Sequence, residues 1–384
     1  GAVDAAEWDA CAAGGGPFVR HAFLDALEAS GSAVRARGWA PVHALLREDV
    51  AGGRLLACSP LYLKGHSAGE YVFDHGWAEA FPQVCPGRSY YPKLQSCVPF
   101  TPVTGPRLLA AGAPAGEERA QLASALGRGL VEVGDHLGTS SVHLTFGTAE
   151  EWDVLRAQGW LGRRGIQYHW ENRGYADFEA FLMDLKQSKR KTMRQERKRV
   201  ARAGVDLQRL TGADLTPAVW DRFYEFYLDT IDRKWGRAYL TREFFHRLGE
   251  VMGDQVLLVV AREGEGGEII AGALNLMDDE AVYGRNWGCA RGKDLKGLHF
   301  EVCYYQAIEH AIEAGLQRVE AGAQGEHKIS RGYLPVETFS AHHIPDRNFR
   351  LAVQAFLQQE GGDIDYTLEA MRAQMDPFKK PSPG

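Results

Sequence analysis

Between Val319 and His343 the sequence reads VEAGAQGEHKISRGYLPVETFSAHH, and here the residue types able to do chemistry are densest. A strand-like Val319-Glu320-Ala321 runs into Gly322-Ala-Gln-Gly325, then Glu326-His327-Lys328 and Arg331-Gly332-Tyr333, before an extended Thr338-Phe-Ser-Ala341. Glycines let the backbone take positive φ or approach a ligand closely. An acid, an imidazole, an amine and a guanidinium behind them cover the proton-transfer roles of acyl transfer. Glu326 and His327 are the candidate catalytic pair, with His327 the better base because an unperturbed imidazole titrates near neutrality. Gln324, Lys328 and Arg331 are placed to hold a phosphate or carboxylate of a donor. A solvated turn between two strands is the bland alternative, weakened by the concentration of ionisable side chains.

A second chemical signal is electrostatic. Lys186 to Arg202 carries nine basic residues against one acid, Glu196, in a chain whose net charge is −6. Leu182, Leu185, Met193, Val200 and Ala203 make a narrow apolar stripe, which leaves Lys189, Arg190, Arg194 and Lys198 on the open face. Like charges so arranged repel one another unless an anion is near, which favours a polyanionic ligand such as tRNA over a solvated face. No aromatic residues interleave to stack single-stranded bases.

A third is the stretch around Tyr90-Tyr91-Pro-Lys93 and Pro99-Phe-Thr101-Pro-Val-Thr104-Gly105, a proline-dense loop over 82–106 with no expected regular element. With Lys64, Asp74 and Trp77 from neighbouring strands, Tyr91, Lys93, Thr101 and Thr104 would line an acceptor pocket facing the second domain. Gly65-His-Ser67-Ala-Gly69 fits the G-x-S-x-G elbow, so a serine hydrolase is the rival enzyme. The elbow needs a helix directly after Ser67, whereas Glu70-Tyr-Val-Phe-Asp74 reads as strand. His342-His343 lacks the further ligands of a metal site, so no metal is expected.

The elements that must position these groups follow from periodicity. At 384 residues, 45% apolar and 24% charged, two globular domains are expected. Six scattered cysteines, no signal-like N-terminus and no apolar run of about 18 residues point to reduced thiols, a cytoplasmic location and no membrane span. Strands are expected over 42–47, 54–64, 70–77, 141–146 and 166–170, and helices over 17–29, 117–137 and 149–158. A second pass gives helices over 178–203, 217–235 and 299–314, a hairpin over 255–277, a strand over 281–288, and two terminal helices over 346–375. The shared order implies two copies of an α+β unit, divided as 1–172 on the acceptor side, 173–345 on the donor and catalytic side, and 346–384 as terminal helices and tail.

These residues carry a family likeness. The pieces PLYLKGHSAGEYVFDHGWAEAF (60–81), YYPKLQSCVPFTPVTGPRLL (90–109), SKRKTMRQERKRV (188–200), KWGRAYLTREFF (234–245), YGRNWG (283–288) and GAQGEHKISRGYLP (322–335) span most of the chain. The second half resembles a Gcn5-related acyltransferase (GNAT) domain, and the tandem arrangement resembles Fem-type aminoacyl transferases. The whole resembles the N-acyltransferase family labelled peptidoglycan biosynthesis/recognition. The resemblance implies two tandem GNAT-like domains with mixed, mostly antiparallel sheets flanked by helices, and transfer of an acyl or aminoacyl group to a small-molecule or peptide amine. It implies no permanently bound cofactor, with aminoacyl-tRNA or acyl-CoA as co-substrate. Asn286 of YGRNWG joins the acceptor set, and amides of the Tyr283 to Gly288 strand would hold the oxyanion. One departure bears on the donor. The usual pyrophosphate turn before the central helix is replaced by Arg291-Gly-Lys-Asp-Leu-Lys-Gly297-Leu-His299, whose spacing disfavours coenzyme A against aminoacyl-tRNA. The non-enzymatic alternative is a GNAT-like module that binds RNA or a cell-wall precursor without turnover.

Overall fold

Two pairs of parallel strands, each joined by a helical crossover because parallel neighbours cannot be linked by a tight turn, organise the chain. The computed structural model describes residues 3–112, 116–233, 236–293, 295–322 and 325–379, without the side chains of Glu326 and Gln374. The chain divides into two units, one of Gly1–Ile166 with Glu337–Tyr366 and one of Gln167–Val336 with Thr367–Gly384.

The first unit contains α1 (Ala5–Cys11), α2 (His21–Ala29), β1 (Trp39–Pro41), β2 (Ala44–Arg47), β3 (Leu55–Ser59), β4 (Leu61–Lys64) and α3 (His75–Val84). It continues with β5 (Lys93–Ser96), β6 (Leu109–Ala110), α4 (Glu117–His136), β7 (Val142–Gly147), α5 (Ala149–Ala157) and the start of β8 (Leu161–Glu171). β5 and β7 run parallel, pairing Leu94 with Val142 and Ser96 with Leu144. Every residue of both strands is buried, as expected for a parallel pair covered on both faces. The crossover helix α4 turns Leu126 and Leu130 onto them. Gly134 is required there, because a Cβ would stand 2.6 Å from Val142 Cγ2.

The second unit holds the rest of β8, α6 (Phe178–Asp184), α7 (Gln187–Arg202), β9 (Val205–Leu210), α8 (Pro217–Arg233), α9 (Arg242–Met252), β10 (Val256–Glu263), β11 (Ile269–Met277) and β12 (Ala281–Cys289). A helix follows in three segments, α10 (Leu298–Phe300), a π-turn (Glu301–Tyr305) and α11 (Gln306–Glu313), and leads to β13 (Arg318–Glu320). A 3₁₀ turn (Glu326–Arg331) comes next; β14 (Leu334–His343) and α12 (Arg347–Gln374) follow it in sequence, and of these Glu337–Tyr366 belongs to the first unit. β9 to β12 form an antiparallel run, and β12 pairs in parallel with β13. The last strand of each half is exchanged. β8, which ends the first half, pairs His169–Glu171 with β13 in the second unit. β14, which ends the second half, pairs Phe339–His343 with β7 in the first.

Several expectations are corrected. Residues 70–77 are not a strand: Gly69 (φ 81°) and Tyr71 (φ 60°) break the extended path, and α3 begins at His75. No helix therefore follows Ser67 directly, and its hydroxyl pairs with the Tyr91 hydroxyl at 2.8 Å, so the hydrolase elbow is not formed. The proline-dense stretch does hold regular structure, since Pro82 lies inside α3 and Lys93–Ser96 is the buried strand β5. The basic helix is interrupted at Leu185, whose extended backbone (ψ 153°) separates α6 from α7. Residues 347–374 form one helix, not two, carrying Gly361 and Gly362 at about 1 kcal/mol each relative to alanine.

Candidate active site

In the second unit the parallel register of β12 and β13 runs Ala281–Arg318, Val282–Val319 and Tyr283–Glu320, and then stops. β12 continues to Cys289 while β13 ends, so beyond Gly284 its edge faces a cavity of about 130 Å³. The cavity is lined by Asn275, Gly284, Asn286, Trp287, His299 and Tyr304, among others. Opposite Leu274 and Asn275 the register skips Arg285, a β-bulge that bends β12 at this point. The π-turn places Tyr304 in the cavity lining, and its hydroxyl lies 3.2 Å from His327 Nε2. Such turns insert one residue and recur at functional sites.

His327 is exposed, between the Phe300 and Tyr304 rings at 5.8 and 6.0 Å. Partial burial, with the Arg331 and Lys328 cations beside it, holds the imidazole below its ordinary 6.5, so it is neutral at pH 7. Burial keeps the Tyr304 phenol above its ordinary value and protonated. Gly325 (φ 121°) makes the approach possible, since a Cβ there would meet the His327 ring at 2.4 Å. Glu326 opens the 3₁₀ turn, but its side chain lies outside the described residues, as does all of Gln324.

Lys328 and Arg331 face inward. Lys328 is 2% exposed, donates to the Gly322 carbonyl at 3.0 Å, and has its amine pushed down to about 8 by burial. Arg331 donates from Nη2 to Glu196 Oε1 at 2.8 Å and from Nε to Tyr305 at 3.1 Å, with its guanidinium 3.4 Å from the centre of the Phe300 ring. Its other nitrogen donates to the His327 carbonyl at 2.9 Å, so Arg331 positions the histidine turn and has little capacity left for a donor phosphate.

On α7, Arg194 pairs with Glu179, and Arg197 with Glu309 at 2.9 Å and Glu301 at 3.2 Å. Among the described residues no carboxylate lies within 4 Å of Lys189, Arg190, Lys191 or Lys198. Arg190, Lys191, Arg194 and Lys198 line one shallow groove with Gln187 and Gln195. The helix also crosses the turn before α10: Glu196 atoms stand 3.6–3.7 Å from where a Cβ of Gly297 would be.

The expected acceptor residues other than Asn286 lie in the first unit. Lys64, Asp74 and Lys93 come together, but as a buried ion network rather than an open wall. Lys93 Nζ reaches Glu70 Oε2 at 2.6 Å and Asp74 Oδ2 at 2.5 Å, and Lys64 Nζ lies 3.5 Å from Glu70 Oε1. Tyr90 donates to Asp74 at 2.7 Å. Trp77 is 5% exposed, Thr101 donates to the Pro99 carbonyl at 2.9 Å, and Tyr91 and Thr104 are half-buried. Glu70 and His143 belong to this network, and sequence reading missed both.

His143 and His342 face each other through their Nδ1 atoms at 2.7 Å, so only one of these atoms can carry a proton. His143 Nε2 has Ser141 Oγ at 2.7 Å, while buried His342 Nε2 has no partner among the described residues. The assignment that orphans no donor puts the shared proton on His342 Nδ1 and the other on His143 Nε2, with both rings neutral. Burial pushes His143 down to about 3 and His342 well below its usual value. Below about pH 6.5 the unfolded chain therefore takes protons that the folded chain refuses, and stability falls toward pH 3. The expected slope is about 1.4 kcal/mol per pH unit for each histidine. Urea denaturation between pH 6 and 4 checks this: His143→Gln should flatten the slope by about one such increment, and an unchanged slope contradicts it.

Against this geometry stand the comparisons with known proteins. Residues 1–380 match the FemAB-like family, described as peptidoglycan biosynthesis/recognition. No curated protein matches the chain significantly in sequence. Among solved structures it is similar to FemX, at 10% identity and a TM-score of 0.56, covering 92% of this chain and 99% of that one. It is also similar to the C-terminal domain of a putative lysylphosphatidylglycerol synthetase from Agrobacterium fabrum, at 12% identity and a TM-score of 0.51, covering 85% and 91%. A conserved protein of unknown function from Bacteroides thetaiotaomicron gives 13% identity and a TM-score of 0.50, covering 89% and 98%. The fold is of the tandem GNAT-like, Fem-type class, with mixed, mostly antiparallel sheets flanked by helices. Among the described residues no helix is long and apolar enough to cross a membrane.

Proposed function

The chain belongs to the FemAB-like family of peptidoglycan biosynthesis/recognition, and from that premise we propose that it is an N-acyltransferase. It moves an acyl or aminoacyl group from an activated ester or thioester to the amine of a small molecule or peptide. The observation that carries this reading is the divergence of β12 from β13, which opens a strand edge onto a cavity lined by Tyr304, whose hydroxyl pairs with His327.

The acyl carbonyl lies in the cavity, where main-chain N–H groups along Gly284–Gly288 stabilise the oxyanion as it forms. The acceptor nitrogen attacks the carbonyl carbon, the C–N bond forms, and the C–O or C–S bond to the donor breaks. Neutral His327 takes the proton the amine must lose, directly or through the Tyr304 hydroxyl, and returns it to the leaving oxygen or sulfur. Holding acceptor and carbonyl together supplies much of the remaining rate, because the encounter becomes effectively unimolecular.

For the donor, aminoacyl-tRNA is favoured over acyl-CoA or a carrier thioester. Two observations support it: the open cationic row of Lys189, Arg190, Lys191 and Lys198, and the packing of α7 over the Gly297 turn where a pyrophosphate would sit. A donor held through many phosphates shows a steep salt dependence, with each neutralised phosphate contributing roughly 0.7–0.9 log units in affinity per log unit of salt. Arg190→Glu with Lys198→Glu is expected to weaken retention of bulk aminoacylated tRNA at least tenfold and to reduce that slope, with the melting temperature unchanged. Filter binding at two salt concentrations, alongside calorimetry with coenzyme A, tests it. Tight coenzyme A binding without tRNA retention would return the protein to the coenzyme-dependent transferases.

A further inference from the structure

The first unit carries a cavity of its own, of about 750 Å³, among the end of α5, the start of β8 and one face of α12. Small-molecule sites span about 300–1,000 Å³. The charges that line this one are unbalanced. Arg164 is committed: it donates to Glu337 Oε1 at 3.0 Å, to Asp365 Oδ2 at 2.8 Å and to the Gly361 carbonyl at 3.3 Å. Arg156 and Arg350 are not, since among the described residues neither has a carboxylate within 4 Å. The Arg156 guanidinium stands 4.3 Å from the centre of the Trp152 ring, a contact that holds the cation in place and leaves its N–H groups for another partner. Arg350 donates from Nη2 to the Gly159 carbonyl, which ties it to the turn after α5. Trp160, Leu161 and Leu357 add an apolar wall.

The two glycines in the middle of α12 also line this cavity, and nothing local requires them. Neither Gly361 nor Gly362 has a positive φ. A Cβ at Gly361 would come no closer than 3.7 Å to its nearest neighbour, Arg164 Nη2, and one at Gly362 would meet nothing within 4 Å. Both positions would therefore accept a side chain, and the helix would gain from it, because glycine loses the most chain entropy on folding. What glycine preserves is the open space. Gln354 and Gln358, two turns and one turn before Gly362, put amides on the same face where a helix packed only for stability would carry apolar side chains.

We infer that this cavity binds a small organic anion, a doubly charged oxyanion on an apolar body about the size of one ring, with Arg156 and Arg350 taking the charge, Trp160 and Leu357 the body, and Gly362 keeping the space open. Two uncompensated guanidiniums match two negative charges, and each can hold a phosphate or carboxylate through paired N–H groups. A neutral or cationic ligand would leave both charges without a counterpart. The acyl-transfer cavity is lined entirely from the second unit, so this inference does not depend on that reading.

Calorimetric titration of the full chain at pH 8 tests it, with phenyl phosphate and phthalate as probes. At least one is expected to bind, and the tighter of the two tells whether the oxyanion is a phosphate or a pair of carboxylates. Inorganic phosphate and malonate, which carry the charge without the ring, should each bind at least tenfold more weakly than their aryl counterpart, and benzyl alcohol and benzylamine should give no binding heat. Arg156→Gln with Arg350→Gln should weaken the tighter aryl anion at least tenfold. Gly362→Leu should abolish its binding while the melting temperature holds or rises, the reverse of what a glycine needed by the fold would give. If that variant fails to fold, the double arginine variant decides alone. Binding of neither aryl anion, equal binding of the ring-free anions, or undiminished binding to the folded variants overturns the inference.

Discussion

Replacing His327 with alanine is expected to lower kcat for acyl transfer by about 10²–10⁴, the usual cost of losing a general base, without measurable loss of stability. The side chain is exposed and among the described residues makes one side-chain hydrogen bond, to Tyr304, so its removal leaves no cavity and frees only the Tyr304 hydroxyl, which lines a pocket. The pH profile adds a signature that a structural role would not give. Partial burial, then Arg331 and Lys328, hold the imidazole below 6.5, so its basic form persists into mild acid. The acid limb of kcat should fall below pH 6.5 in the native protein and disappear in His327→Ala, whose residual rate should be flat there. Tyr304→Phe distinguishes a relay from direct transfer: a loss comparable to that of His327→Ala places the phenol in the proton path, and a small one leaves His327 in direct contact with the amine. Full turnover by both variants at saturating donor would move the chemistry elsewhere.

Much of this site is legible in the sequence, because its signals are local. Glycines flanking Glu326-His327-Lys328 mark a tight turn, and the apolar spacing of Ala307, Ile308, Ala311 and Ile312 marks the helix beside it. What local pattern cannot encode is which way a charge points. Lys328 and Arg331 read as ligand-holding cations, yet both are buried and satisfied by Gly322 and Glu196, partners fixed only by tertiary packing. Asn275 lies in an apolar strand, and only the tertiary structure shows that its side chain lines a pocket. The exchange of β8 and β14 is also invisible, because a strand's alternation states which faces are buried and not which neighbour pairs with its edge. The misreading of residues 70–77 has the same origin. Aromatic and β-branched types favour a strand, but Glu70 and Asp74 are drawn inward by Lys93, and positive φ at Tyr71 follows.

That buried network carries the largest stability effect expected of any single substitution. Lys93 is 1% exposed and stands between two carboxylates, each of which relies on it. Burial alone would raise the Asp74 carboxyl, but the Lys93 ammonium outweighs it and holds it well below the usual range. For Glu70 burial wins and the carboxyl is raised, with Lys93 and the more distant Lys64 only partly offsetting it. The Lys93 amine is itself raised: burial opposes its charge, but Glu70 and Asp74 together prevail. Its contribution is thus fully present below about pH 10.5 and is lost only as pH climbs through the higher folded value. Lys93→Met leaves Asp74 with the Tyr90 and Ser67 hydroxyls and no cation, and Glu70 with the more distant Lys64, and should destabilise by about 3–5 kcal/mol at pH 7. Because the injury is an uncompensated buried anion, two consequences separate it from simple loss of packing. Lys93→Met combined with Asp74→Asn should recover a large part of the loss, since the pair is then removed as a unit. The gap between Lys93→Met and the native protein should also narrow from pH 7 to pH 5, as protonation relieves the stranded carboxylates. Urea denaturation of the three proteins at both pH values measures this. A single variant within about 1 kcal/mol of native, or a double variant no better than the single, would show that the network does not hold the first unit together in this way.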